Sequence, residues 1–144
     1  MPKTEADKLR HGYLAAISFA DDLVGQLLKK IAALGLDKNT VVVIWGDHGF
    51  KLGDHGGWSK HSNVELDIHI PLIIRVPGIS KPGSRTKALV ETVDIYPTLL
   101  DIAGLDKAHN LEGVSLRPLM DQPDRRWKEA VFAQFPRYVK NQVL

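Results

Sequence analysis

The sequence predicts an α/β fold with a mostly parallel central sheet. Three observations carry that reading: a long helical stripe near the start, two short apolar runs without polar alternation, and a further helix signal after them. Strands apolar on both faces need helices to cover them, and helices alternating with such strands make the layers of α/β domains.

The first element is a helix. Leu14, Ile17, Ala20, Val24, Leu27, Leu28, Ile31 and Leu34 recur at helical spacing and form one apolar stripe. Thr4-Glu5-Ala6-Asp7 can cap its start and Gly35 can close it. Asp37-Lys38-Asn39-Thr40 then turns the chain, and residues 41–45, "VVVIW", read as a strand buried on both faces. Residues 46–63 are glycine-rich with few large apolar side chains, a loop long enough to suggest function. Pro71 to Val76 makes the second buried strand, stopped by Pro77-Gly78. Leu89 to Val93 reads as a short strand, and Asp94-Ile95-Tyr96-Pro97 starts a helix that Gly104 ends. Ala130 to Phe135 reads as a final strand.

Composition narrows the classes. A chain of 144 residues with 44% apolar content fits one domain with a sizeable core. The net charge of +2 is spread over scattered basic residues, which gives no nucleic-acid patch. Without cysteine there are no disulfides, thiolate metal sites or cysteine nucleophiles. No apolar run reaches the roughly 18 residues of a membrane span, and no signal-peptide pattern follows Met1. The expected partners therefore include neither nucleic acid nor membrane.

The loop carries one tetrapeptide twice: Gly46-Asp47-His48-Gly49 and Gly53-Asp54-His55-Gly56. Their positions separate them. The first copy follows a buried strand, and ligands of open α/β sheets bind outside the carboxyl ends of strands. Neighbouring side chains on a regular strand point to opposite faces, but Gly46 and Gly49 allow angles that bring Asp47 and His48 inward together. The second copy has no strand to aim it and reads as a solvated turn.

"VVVIWGDHGFKLGDHGGWSKHSN", then "HIPLIIRVPG" and "VETVDIYPTLLDIAG", resembles the later catalytic-domain portion of a sulfatase, in the iduronate-2-sulfatase-like branch of the alkaline phosphatase superfamily. The likeness runs from "GYLAAISFADDLVGQLL" through "LEGVSLRPLM" to "AVFAQFPR". It implies an alkaline-phosphatase-like three-layer sandwich, with residues 1–144 a partial catalytic domain lacking the N-terminal nucleophile-bearing portion. It also implies that Asp47 and His48 ligate a divalent cation, Ca2+ in the usual case. Lys60, thirteen residues after Asp47, is implied to contact the sulfate as a substrate-binding and catalytic residue. The implied substrate is a sulfated small molecule or glycan, and the implied location is exported, periplasmic or lysosomal.

These residue types suit sulfate-ester chemistry. A cation polarises the sulfate oxygens, and a lysine is a compact positive charge on the same group. Asp supplies hard anionic oxygen and neutral His one nitrogen. The family's nucleophile is a formylglycine made within Cys/Ser-x-Pro-x-Arg, and no such pattern occurs. Ser80-Lys81-Pro82-Gly83-Ser84-Arg85 places its arginine one residue too far along and reads as a turn. Asp21-Asp22 imitates the family's acidic metal pair but lies inside the first helix. His11 and His109 read as surface residues, His61 as a loop histidine and His69 as a hydrogen-bonded structural one. His55 is read as able to orient a ligand or a loop carbonyl.

The enzymatic reading has as rivals a phosphate or phosphonate ester hydrolase of the same superfamily and a non-catalytic remnant binding cations or sulfated glycans. The chain alone is expected to be inactive, and its exposed sheet faces are expected to favour self-association.

Overall fold

Residues Lys3–Ala33 form a single helix, α1. Its first turn closes on the Pro2 carbonyl, which accepts from the amides of Glu5 (3.1 Å) and Ala6 (3.2 Å), so Thr4–Asp7 lie inside the helix and do not cap it. Exposed pairs one turn apart support it: Lys8–Glu5, Arg10–Asp7 and Gln26–Asp22. Asp22 thus serves the helix. At the other end Gly35 adopts φ +69° and its amide reaches the Ala32 carbonyl at 2.9 Å, a left-handed stop that glycine takes without strain.

The computed structural model describes residues 2–79, 82–106, 110–136, 138–139 and 142–143. They divide into two compact units, Met1–Ile73 with Phe135–Leu144, and Ile74–Gln134. Three two-stranded sheets occur among them. Strand β1 (Val42–Trp45) pairs with a later strand, β4 (Leu72–Arg75). Between them β2 (Lys51–Leu52) and β3 (Trp58–Ser59) form an antiparallel hairpin, with Lys51 opposite Ser59. The short helix α2 (Glu65–Ile68) follows. Near the end β5 (Tyr138–Val139) and β6 (Gln142–Val143) pair antiparallel.

Both sequence-predicted strands are present, the first one residue shorter than read and the second two, one at each end. They are less covered than a sheet packed on both faces: Trp45 is 51% and Ile73 60% exposed. The stripe of α1 is also open, with Leu14, Ile17, Leu27 and Leu28 exposed. A period in the sequence shows which face is apolar, and the described residues leave these faces only partly covered.

The second unit is organised around α3 (Ile95–Ala103), which Gly104 ends at φ +66°. Leu89 to Val93 is not a strand; Thr92–Asp94 is a 3-10 turn. The Asp94 carboxylate takes the Glu91 amide at 2.9 Å, and this local side-chain bond replaces a strand ladder. Asp94 is fully buried and also accepts from the Val114 amide (2.9 Å) and the Lys128 ammonium (2.8 Å). Lys128 bonds Glu91 as well, at 2.7 Å. Burial alone would lower the Lys128 pKa, but its bonds to Asp94 and Glu91 outweigh that and hold it above its ordinary value. The same lysine holds the Glu91 carboxyl below its ordinary value. Helix α4 (Arg117–Asp121) carries its proline in the first turn. Ala130 to Phe135 forms no strand: the Phe132 amide bonds the Glu91 carboxylate at 3.1 Å, and the Phe132 ring is 87% exposed.

Candidate functional site

Where β1 ends, the chain leaves the ladder in one step. The Gly46 amide bonds the Pro71 carbonyl at 3.1 Å, and the next two residues carry the acidic and imidazole groups. Asp47 folds back so that its Oδ1 accepts the His48 amide at 3.0 Å. Its Oδ2 lies 3.3 Å from His48 Nε2. The two side chains thus share one face past the strand end, with the Asp47 side chain 83% exposed and His48 34%.

His48 Nδ1 lies 2.9 Å from the Gly49 carbonyl oxygen. A carbonyl only accepts, so Nδ1 carries the hydrogen and Nε2 presents its lone pair. That lone pair meets the Lys60 ammonium, which donates to it. Twelve residues separate His48 and Lys60, and the β2–β3 hairpin brings them together. Asp47, His48 and Lys60 therefore form one cluster: a carboxylate, an imidazole nitrogen that accepts from the lysine, and a cation.

The second tetrapeptide is the tip of that hairpin. Gly53 (φ +108°) and Gly56 (φ +72°) turn the chain, and the Gly53 amide closes on the Gly57 carbonyl at 3.0 Å. Asp54 accepts the Leu52 amide at 3.1 Å, and His55 is exposed at φ +52°. Arg10 from α1 holds the hairpin by donating to the Leu52 carbonyl at 2.9 Å while lying 5.5 Å over the Trp58 ring. Tyr13 stacks on Phe50 at 5.4 Å.

The other histidines lie elsewhere. His61 packs on Phe135 at 5.5 Å, His69 pairs with Glu65 at 3.1 Å, and His11 is exposed. His109, Ser80 and Lys81 lie outside the described residues, while Pro82-Gly83 is a turn.

Asp47 and His48 fit part of a divalent-cation site, one hard oxygen donor beside one neutral nitrogen. Among the described residues no group of three or more His, Cys, Asp or Glu could hold a metal, so these two would supply only some of its ligands. Sequence reasoning missed a neighbouring buried group, Lys51 with Ser62 and Asp67. Its only signal was a lysine in a short run between two turns, which normally denotes a solvated residue.

A protein-family model described as "Sulfatase" matches residues 2–105. The chain belongs to the sulfatase family. It is 35% identical over 129 residues to N-acetylglucosamine-6-O-sulfatase of Bacteroides thetaiotaomicron, covering 88% of this chain and 23% of that protein. It is 35% identical to human iduronate 2-sulfatase over 122 residues, covering 68% of this chain and 22% of that protein. This sulfatase chain thus spans about a quarter of the length of those relatives. Among solved structures, one described as a complex with its substrate D-glucosamine-2-N,6-O-disulfate matches with TM-score 0.79 and 34% identity, over 90% of this chain and 26% of that one. A phosphonate monoester hydrolase from Silicibacter pomeroyi matches with TM-score 0.70 and 34% identity, over 76% of this chain and 22% of that one. These likenesses support the alkaline-phosphatase-like α/β architecture read from the sequence.

Proposed function

We propose that this sulfatase chain supplies part of the site of a divalent-cation-dependent hydrolase of sulfate esters borne by carbohydrates. The meeting of Asp47, His48 and Lys60 past the end of β1 carries the reading. In it Asp47 and His48 would hold the cation, Ca2+, with the Lys60 ammonium moved from His48 Nε2 onto the sulfate. When bound, the cation polarises the sulfate oxygens and stabilises charge on the leaving oxygen. Lys60 binds the same sulfate as a point charge. The Gly49 carbonyl keeps His48 in the tautomer that presents Nε2. The glucosamine sulfates named for the relative and for the solved complex support a sulfated sugar as substrate class.

The residues belong to a single catalytic domain in this reading. Its covalent nucleophile, formylglycine, has no source among these 144 residues, which hold no cysteine and no Ser-x-Pro-x-Arg. Losing a nucleophile costs several powers of ten in rate, so the chain alone does not turn over.

A second reading, a phosphate or phosphonate ester hydrolase, is supported by the phosphonate monoester hydrolase likeness. Titrating the chain with inorganic sulfate or phosphate in the presence of calcium separates the two. Sulfate binding lost in Lys60→Ala supports the sulfatase reading, and a clear preference for phosphate supports the second. Binding of neither anion contradicts both.

A further inference from the structure

Lys51, Ser62 and Asp67 form a buried polar cluster that the proposed chemistry does not use. Lys51 and Asp67 are 7% and 5% exposed. The Lys51 ammonium donates to Asp67 Oδ2, and to Ser62 Oγ at 3.0 Å. The Ser62 hydroxyl donates to the same Oδ2 at 2.6 Å. Asp67 Oδ1 is buried without a hydrogen-bond partner among the described residues. A buried ion pair is a weak net source of stability, because desolvation offsets its attraction. What it does supply is geometry, since each member must meet its partners in one arrangement.

That arrangement spans both halves of the candidate site. Lys51 stands in β2 opposite Ser59, the residue before Lys60. Ser62 lies two residues after Lys60. Asp67 lies in α2, and its backbone carbonyl accepts the Gly49 amide at 2.8 Å, beside His48. The approach of α2 is so close that a Cβ on Gly49 would stand 1.8 Å from the Leu66 carbonyl oxygen.

A second observation lies in the backbone. Ser59 and His61 flank Lys60 at φ +70° and φ +84°, the left-handed region that non-glycine residues rarely enter. Such conformations persist only where the surroundings over-determine them, and they gather at functional sites. Here Ser59 is held by its pairing with Lys51, and the chain after His61 is held through Ser62.

We propose that Lys51, Ser62 and Asp67 are a positioning clamp. The clamp fixes the Ser59–His61 backbone in its left-handed turns and so aims the Lys60 ammonium at His48 Nε2. Its consequence for sulfate rests on the function proposed for Lys60; its consequence for the Lys60–His48 contact does not.

The test uses the 144-residue chain. Three quantities are followed by NMR: the nuclear Overhauser contact between the Lys60 ε-methylene and the His48 ring, hydrogen exchange of the Gly49 amide, and affinity for inorganic sulfate. Asp67→Asn is expected to lose the contact and to weaken sulfate about tenfold or more. Ser62→Ala, which removes one hydroxyl, is expected to do the same to a smaller degree, and it decides the matter if Asp67→Asn does not fold. Gly113→Ala destabilises the other unit, where its Cβ would stand 2.0 Å from the Val93 carbonyl oxygen, and is expected to leave contact and affinity unchanged. Lys60→Met is expected to lose sulfate binding but keep Gly49 protected. If Lys60→Met still binds sulfate, the proposed function fails and the contact alone judges the clamp. A Lys60–His48 contact that survives in folded Asp67→Asn, or in Ser62→Ala when that variant must decide, overturns the clamp.

Discussion

Gly49→Ala puts a methyl carbon 1.8 Å from the Leu66 carbonyl oxygen, 2.8 Å from its carbon and 3.1 Å from the Asp67 Cα. Close carbon–oxygen contacts in proteins lie near about 3.3 Å, so the backbone on one side must retreat by roughly 1.5 Å. All three obstructing atoms are main chain, and no rotamer change can relieve them. The retreat breaks the 2.8 Å bond from the Gly49 amide to the Asp67 carbonyl, a loss of about 1 kcal/mol. Overpacking adds about 1–3 kcal/mol, for a total near 2–4 kcal/mol. Gly25→Ala is the control: it lies inside α1 with nothing within 4 Å of its Cβ, and it should stabilise by up to about 1 kcal/mol. Urea unfolding of both variants, read by hydrogen exchange in the first unit, measures the difference. A Gly49→Ala chain within about 0.5 kcal/mol of the parent would refute the close approach of α2 to the strand end.

Lys128→Met leaves the fully buried Asp94 carboxylate with amide donors alone and should destabilise the second unit by about 3 kcal/mol in thermal or urea unfolding. Stability should also depend on pH in a stated way. Glu91 and Asp67 are held below their ordinary values of 4.5 and 3.8, so their contributions are full above those values and fade as pH falls through the lower folded values. Lys128 is held above 10.5, so its contribution is full below that value and fades as pH rises through the folded one. A pH–stability profile without an acid-side loss contradicts this. The exposed Trp45 and Ile73 should drive self-association, and Ile73→Lys should reduce it in sedimentation velocity at equal concentration.

Much of the architecture was legible in the sequence because the signals were local. The α1 stripe, the apolar runs before Gly46 and Pro77, and the stop at Gly104 each follow from period, branching or a left-handed turn. Leu89–Val93 and Ala130–Phe135 misled because an apolar run signals extension but not the presence of a strand beside it. There Asp94 and Glu91 side chains took the backbone amides instead. The placement of Asp47 and His48 past a strand end was readable from two glycines. That Lys60 returns to His48 depends on the hairpin, whose strands are only two residues each and too short for a periodic signal. Lys51 and Asp67 were illegible for a different reason. A buried ion pair looks like two surface residues until the fold places them together.

In the proposed site Asp47 and His48, and not Asp54 and His55, address the cation. Calcium titration of the chain, followed by NMR, tests it most directly. Shifts are expected at Asp47 and His48 that survive Asp54→Ala with His55→Ala and vanish in Asp47→Ala with His48→Ala. Binding should be weak, since calcium normally takes about six to eight oxygens. The reverse order, with binding lost only when the hairpin-tip pair is removed, would contradict the account and assign the cation to the second tetrapeptide.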